Sequence, residues 1–237
     1  VTSVSEIKLI GYPVSNYFNI VRAALIEKNI AHQIEMTSAS QDDDFLAKNP
    51  MGKIPVLQVG GNHISETVAI LEYLEDMSDA IKLRPANALE RARMRQAINI
   101  IQVYLEVPAR HLYPVVFMNG TLDKPLAQNV RAQIDRGTAA LSRLLAPAPW
   151  LLGSTFSSTD IFAYYNLGMI ERVCADIFGF SLIDGLGWQD WWCAMGKRES
   201  TIIVMSDFEQ YLPAYLKDKN SGYQFQPQFK KLEILDA

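Results

Sequence analysis

The spacing of apolar positions changes character near the middle of the chain. Ile7, Leu9 and Ile10 form a short apolar run that ends at Gly11, which predicts a strand over Ile7–Gly11. Phe18, Ile20, Val21, Ala24 and Leu25 then recur at three- and four-residue steps, which predicts a helix over Phe18–Lys28, and His32–Met36 reads as a second strand. After a polar stretch around Asp42–Asp44, Val56–Val59 forms a run that opens on Pro55, a position where a residue without an N–H is tolerated in a sheet. Gly60-Gly61 can take the positive φ angles of a two-residue hairpin, so a second strand follows. From Thr67 onward Val68, Ile70, Leu71 and Leu74 return to helical spacing. The order βαβ, then ββα, predicts a mixed sheet in which a crossover helix makes the first two strands parallel.

Beyond residues 77–88 every long segment has the helical period. The run from Leu89 to Leu112 predicts a long helix, kinked or ended near Pro108, and a second long helix is expected from Leu126 to Leu145, closed by Pro147 and Pro149. FSSTDIFAYYNLGMI carries Ser157 three residues before Asp160, a capping box that starts another helix, with Phe156 and Ile161 spaced as a hydrophobic staple. The division expected is an α/β region over residues 1–80, a linker over 81–88 and an all-α region over 89–237. The closing stretch KDKNSGYQFQPQFKKLEILDA is polar and carries no regular pattern.

Composition narrows the function classes. A net charge of −4 supplies no basic field for nucleic acid. No apolar run approaches the length of a membrane span, and VTSVSEIKLI lacks the basic and apolar regions of a signal peptide. Cys174 and Cys193 have no metal or CxxC spacing, which points to a reducing, cytoplasmic setting; His32, His63 and His111 are scattered, so no zinc motif can be written.

The candidate chemistry lies in NPMGKIPVLQVGGNHISETVAILEYLED, residues 49–76. A helix that starts at Thr67 offers free N–H groups and positive dipole charge to a ligand carboxylate, and Glu66 beside it can take an ammonium. An amino-acid head group fits both. Each residue also has a plain structural reading: Pro55 as strand opener, Glu66 as a first-turn acid, Lys53 as a solvated charge.

The ordered set resembles the glutathione-binding half of the glutathione S-transferase superfamily, where a cis-proline follows a Lys/Gln-Val/Ile pair and an acidic-hydroxyl pair opens the third helix. With the Ser-x-x-Asp box and the preceding WLLG at Trp150–Gly153, the resemblance extends over residues 6 to 215. It implies a thioredoxin-like N-terminal domain followed by an all-α domain. It also implies a cis Ile54–Pro55 bond, Ile54 offering its backbone to the cysteinyl part of glutathione, Glu66 and Thr67 holding the γ-glutamyl end, and Lys53 near the glycyl carboxylate.

Glutathione is implied as co-substrate with no metal, a small hydrophobic electrophile as the second substrate, and a two-fold homodimer as the assembly. Catalysis then means forming a thiolate, since a free thiol has a pKa of about 8.5 and only its anion is the nucleophile. Counting back from Val21-Arg22, which resembles the V-R pair of serine-type members, the catalytic hydroxyl falls on Ser15, with Asn16 and Tyr17 as rivals; Tyr12 is one position from the place of a tyrosine-type catalyst. Ser15 or Asn16 could instead simply cap the first helix. No cysteine lies in this loop, so mixed-disulfide chemistry is not expected. On the long helix, Tyr104, Arg110, His111, Tyr113 and Phe117 are candidates for the electrophile pocket, although an aromatic row at helical spacing is more often core. The alternative to an enzyme is a binding or regulatory protein that keeps the fold without turnover.

Overall fold

A computed structural model describes residues 6–78 and 80–224. β1 (Ile7–Gly11) is followed by α1 (Asn16–Glu27), β2 (Gln33–Met36), the short α2 (Asp43–Leu46), the β3 (Val56–Val59) and β4 (Asn62–Ser65) hairpin, and α3 (Thr67–Met77). The sheet order is β2-β1-β3-β4. β1 pairs parallel with β2, through Leu9 and Ile34, and antiparallel with β3, through Leu9 and Leu57. Leu9, Leu57, Phe18, Ile20, Ile70 and Leu74 are all completely buried between sheet and helices. The central strands are buried on both faces: Leu9 and Leu57 pack in the main core with α1 and α3, while Ile10 and Val56 pack with Phe45 of α2.

The helical half begins with α4 (Ala88–Asn99), capped by the Asn87 side chain. The single long helix expected here is broken in a specific way. A π turn spans Ile100–Glu106, α5 covers Val107–Arg110, and α6 covers Tyr113–Phe117. Pro108 has no N–H to donate, and the wider hydrogen-bond register just before it, with Val107 N–H bonded to Gln102 C=O, absorbs the defect. α7 (Lys124–Leu144) packs tightly on this turn because Gly137 has no side chain: a Cβ there would sit 2.6 Å from Leu105 Cδ2.

α8 (Ser158–Val173) is the buried helix of this half, and its capping box is formed: the Ser157 N–H donates to Asp160 Oδ2 at 2.9 Å, and the Thr159 N–H donates to Ser157 Oγ at 3.2 Å. Asp160 also accepts from Trp191 Nε1 and from the Leu151 N–H, so one buried carboxylate ties the loop 151–157 and α10 (Gln189–Gly196) to α8. α9 (Leu182–Leu186) and α11 (Glu199–Asp218) complete the set. The proline in Ala148–Pro149 is cis, as is that in Ile54–Pro55.

The two halves are joined mainly through α1, which packs on α3, α8 and α11. Arg198 holds Glu27 with two hydrogen bonds, of 2.8 and 2.6 Å, and Arg22 pairs with Asp207. On the linker side Lys28, 2% exposed, donates to Glu75 Oε1 at 2.9 Å, and the same oxygen accepts the Leu83 N–H. The closing stretch carries more structure than its polarity predicts. Its first residues finish α11, Gly222 N–H bonds to Asn119, and Tyr223 packs edge-on against Phe117 at 4.9 Å. The remainder, 225–237, lies outside the described residues. Among the described residues no helix is long and apolar enough to cross a membrane.

Candidate active site

The loop between β1 and α1 is fixed from both ends. The Ser15 N–H donates to Tyr12 C=O at 3.0 Å and Asn19 Nδ2 donates to Pro13 C=O at 2.8 Å, so residues 12–15 make a tight turn into the helix. Ser15 is the N-cap of α1, with extended backbone angles, and its Oγ accepts the Phe18 N–H. This use of a lone pair leaves the hydroxyl hydrogen available to a further acceptor.

Asn16 and Tyr17 are differently committed. Asn16 is buried, its Nδ2 donating to Asn166 Oδ1 at 2.7 Å and towards Glu106 Oε1 at 3.4 Å. The Tyr17 phenol donates to Glu106 Oε2 at 2.9 Å. Burial, then the Glu106 charge, pushes the Tyr17 phenol far above its ordinary range, so it stays protonated with its hydrogen on Glu106. Burial and Glu106 do the same to Tyr113. Arg110 closes the cluster by pairing with Glu106 and reaching Asn16 Oδ1 at 3.4 Å; burial opposes its charge, but Glu106 outweighs it and the guanidinium is held more strongly protonated.

Opposite this loop stand the cis-proline turn and the start of α3. Asn49, 2% exposed, donates to Lys53 C=O at 2.6 Å and accepts the Met51 N–H at 3.0 Å, which fixes the approach to Ile54 and Pro55. Glu66 has φ 68°, ψ 113°, a region costly for a residue with a side chain, and it caps α3 without using its carboxylate on the helix. That conformation leaves an exposed carboxylate beside the free N–H groups of Thr67 and the residues after it.

The loop before α1, the Glu106 cluster, the proline turn and the start of α3 meet in one cleft of about 830 Å³ between the two halves. The structure brings together Ser15, Asn16, Tyr17, Lys53, Ile54, Pro55, Glu66 and Thr67, and from the helical half Arg110, His111, Tyr113 and Phe117. Tyr104 is not among them: it is 58% exposed and does not line the cleft, because a residue two positions before Glu106 lies on nearly the opposite side of the helix from the face that Glu106 and Arg110 share. Missed by sequence reasoning were Glu106 and Asn49, and the far wall from α8, α11 and the tail, chiefly Met169, Arg172, Phe208, Leu212 and Tyr223. One signal for Glu106 was legible: an acid inside the apolar run IIQVYLEVPARHLYPVVF with an arginine four residues on.

Among the described residues no group of three or more His, Cys, Asp or Glu could hold a metal ion, and Cys174 and Cys193 are both free thiols.

Residues 9–80 match the glutathione S-transferase N-terminal domain, and residues 124–194 match the glutathione S-transferase C-terminal domain. A glutathione S-transferase of Pseudomonas putida is 30% identical over 91% of this chain and 99% of its own length. The chain belongs to the glutathione S-transferase superfamily. A maleylacetoacetate isomerase of Dictyostelium discoideum is 37% identical over 60% of this chain and 68% of its own. Poplar glutathione transferase F1 shares the fold, with a TM-score of 0.73 at 19% identity over 87% of this chain and 99% of its own. A Methylobacillus flagellatus glutathione S-transferase solved with glutathione bound also shares it, with a TM-score of 0.68 at 22% identity over 84% and 98%. The four-stranded mixed sheet followed by an all-helical domain is the architecture of this superfamily.

Proposed function

We propose that the protein is a glutathione transferase in which glutathione lies across the cis-proline turn and the start of α3, with its sulfur at Ser15. Glu66 takes the γ-glutamyl ammonium, Thr67 and the α3 N–H groups take the carboxylate beside it, Ile54 pairs its backbone with the cysteinyl residue, and Lys53 lies by the glycyl carboxylate. The Ser15 hydroxyl donates to the sulfur, favouring the thiolate, and the start of α1 adds positive potential. The proton leaves to solvent. The thiolate then attacks an electrophilic carbon, forming the C–S bond as the leaving group departs with its electron pair.

The observation that supports this reading above the others is the uncommitted hydrogen of Ser15, set against the committed donors of Asn16 and Tyr17. A second reading has its own support. Arg110 is half exposed in the cleft, a fit for a carboxylate-bearing substrate, and several relatives are named as maleylacetoacetate isomerases. In that reaction the same thiolate adds to a double bond and leaves after rotation. Isothermal titration with glutathione and assays on an aromatic halide and on a cis-unsaturated diacid test both readings. Glu66→Ala should weaken glutathione binding by about 1.5–3 kcal/mol, the range for a hydrogen bond to a charged group. Binding without turnover of either electrophile would instead favour a binding protein.

A further inference from the structure

Glu106 is completely buried, yet it belongs to neither the apolar core nor the glutathione cradle. It comes from the helical half, at the last residue of the π turn, and its two oxygens face four donors. Tyr17 OH lies at 2.9 Å, Asn16 Nδ2 and Tyr113 OH each at 3.4 Å, and the Arg110 guanidinium is in direct contact. Two of those donors are the first two residues of α1, directly after Ser15. The turn that carries Ser15 is therefore anchored on one side by Tyr12 and Pro13 and on the other by the Glu106 carboxylate and the Asn166 amide of the opposite half.

We propose that Glu106 is the positioning residue for the Ser15 hydroxyl, acting through Asn16 and Tyr17, while Arg110 balances its charge next to the sulfur. The inference rests on Ser15 as thiol donor. A hydroxyl stabilises a thiolate only when it is held within a fraction of an ångström of the right place, which its supporting shell must ensure. The helix cap bond to Phe18 fixes the Oγ lone pair, and it does not fix the first turn against the cleft. The 2.9 Å bond from Tyr17 to Glu106 does, helped by the longer contact of Asn16 with Glu106 and by the 2.7 Å bond from Asn16 to Asn166 of α8. An unbalanced carboxylate this close would work against a thiolate, and Arg110 removes that penalty. Tyr17 remains a donor throughout, since burial and Glu106 both oppose its ionisation. The other charged or titratable groups lining the cleft are Tyr12 from the loop before α1, Glu66 at the N-cap of α3, Lys53 from the proline turn, His111 and Tyr113 from the helical run, Arg172 from α8, and Tyr215, Lys219 and Tyr223 from α11 and the residues after it.

The test uses a charge-neutral change, Glu106→Gln with Arg110→Gln, so that a shift in the thiol reports lost positioning rather than lost charge. Thiolate absorbance of the glutathione complex is titrated against pH in this pair, in Ser15→Ala and in the triple variant, with turnover and thermal unfolding measured beside it. The pair should raise the pKa of the bound thiol in the same direction as Ser15→Ala and lower kcat about tenfold, leaving the KM for glutathione within about twofold. The triple variant should match Ser15→Ala alone, because residues acting through one donor are non-additive. A destabilised pair with wild-type thiol pKa and kcat makes Glu106 a structural strut and overturns the proposal, as does an additive triple variant. If Ser15→Ala itself leaves the thiol unchanged, the Ser15 assignment fails and the positioning role falls with it. Should the pair not fold, Asn16→Ala with Tyr17→Phe removes the same two tethers without touching the buried charges, and the same criteria apply.

Discussion

The Ser15 Oγ accepts the Phe18 N–H at 3.3 Å, so one side chain serves the helix with its lone pair and keeps its hydrogen for a ligand. Capping and the proposed donation to the glutathione sulfur are separable at this residue. Ser15→Ala should lose both, costing about 1 kcal/mol of stability and lowering turnover by one or two orders of magnitude. Ser15→Asp keeps a capping oxygen and a favourable charge at the helix start but has no hydrogen to donate, so it should unfold near the wild-type temperature while the bound thiol pKa rises. Thermal unfolding and thiolate titration of both variants check this. A Ser15→Asp protein with normal turnover would remove the hydroxyl from the mechanism.

Much of the fold was legible because its elements carry clean periods. The β1, β3 and β4 strands, the Gly60-Gly61 turn and the Ser157–Asp160 capping box follow from local patterns that tertiary contacts do not contradict. The break at residues 100–117 was less so. Pro108 announces a defect, but whether it becomes a kink or a π turn depends on how α7 packs at Gly137, a contact remote in sequence. The proline turn and the start of α3 are contiguous in sequence, so their meeting in one cleft was readable, whereas the far wall of the cleft gathers single residues from α8, α11 and the tail. No short window holds that pattern.

The buried Lys28–Glu75 pair gives a second prediction. Both side chains are almost fully withdrawn from water, and Glu75 also accepts the Leu83 N–H, so the pair fastens α1 and α3 to the linker. Lys28→Met leaves the buried Glu75 carboxylate with Arg84, at 3.9 Å, as its counter-charge and should cost about 3 kcal/mol in urea unfolding, the lower end for a broken buried pair. The double change Lys28→Met, Glu75→Gln removes the buried charge and keeps an acceptor for Leu83, so it should recover a large part of that loss. Equal destabilisation in the single and double variants would show that the charges are not the issue.

The Glu27–Arg198 contact predicts an acid dependence. Burial alone would raise the Glu27 pKa, but the Arg198 and Ser200 hydrogen bonds and the Arg198 charge outweigh it, and the group lies below its ordinary 4.5. With a folded value below the unfolded one, its stabilising contribution is present above about pH 4.5 and is lost as pH falls through the folded value. Melting temperatures taken between about pH 6 and pH 3 should therefore fall less steeply in Glu27→Gln than in the wild type, from a lower starting point. Glu35, also held low, faces Lys8 and Lys48 at an exposed edge, and its share of the acid dependence should vanish in high salt while that of Glu27 persists. Parallel curves for wild type and Glu27→Gln would refute the assignment.

The position of Tyr104 leads to a prediction about assembly. Outside the cleft lining itself, it stands with Val103 and with Val107, which sits at the cleft edge, on one exposed apolar face of the π turn and α5, at 58%, 49% and 47% exposure. A stripe of this kind on a long helix is costly to leave in water and suited to an isologous contact, in which the same surface serves both copies. The expected particle is a two-fold homodimer in which this face is covered. Sedimentation equilibrium should give twice the chain mass of 26.7 kDa at micromolar concentration. Tyr104→Arg should shift the protein towards monomer by placing a charge in the centre of the contact, while Leu89→Arg, at the far end of α4, serves to map how far the interface extends. Because Tyr104 does not line the cleft, glutathione affinity of the Tyr104→Arg monomer should stay within about threefold of wild type unless the partner subunit completes the site. A wild-type monomer, or a Tyr104→Arg protein still fully dimeric, would place the interface elsewhere or remove it.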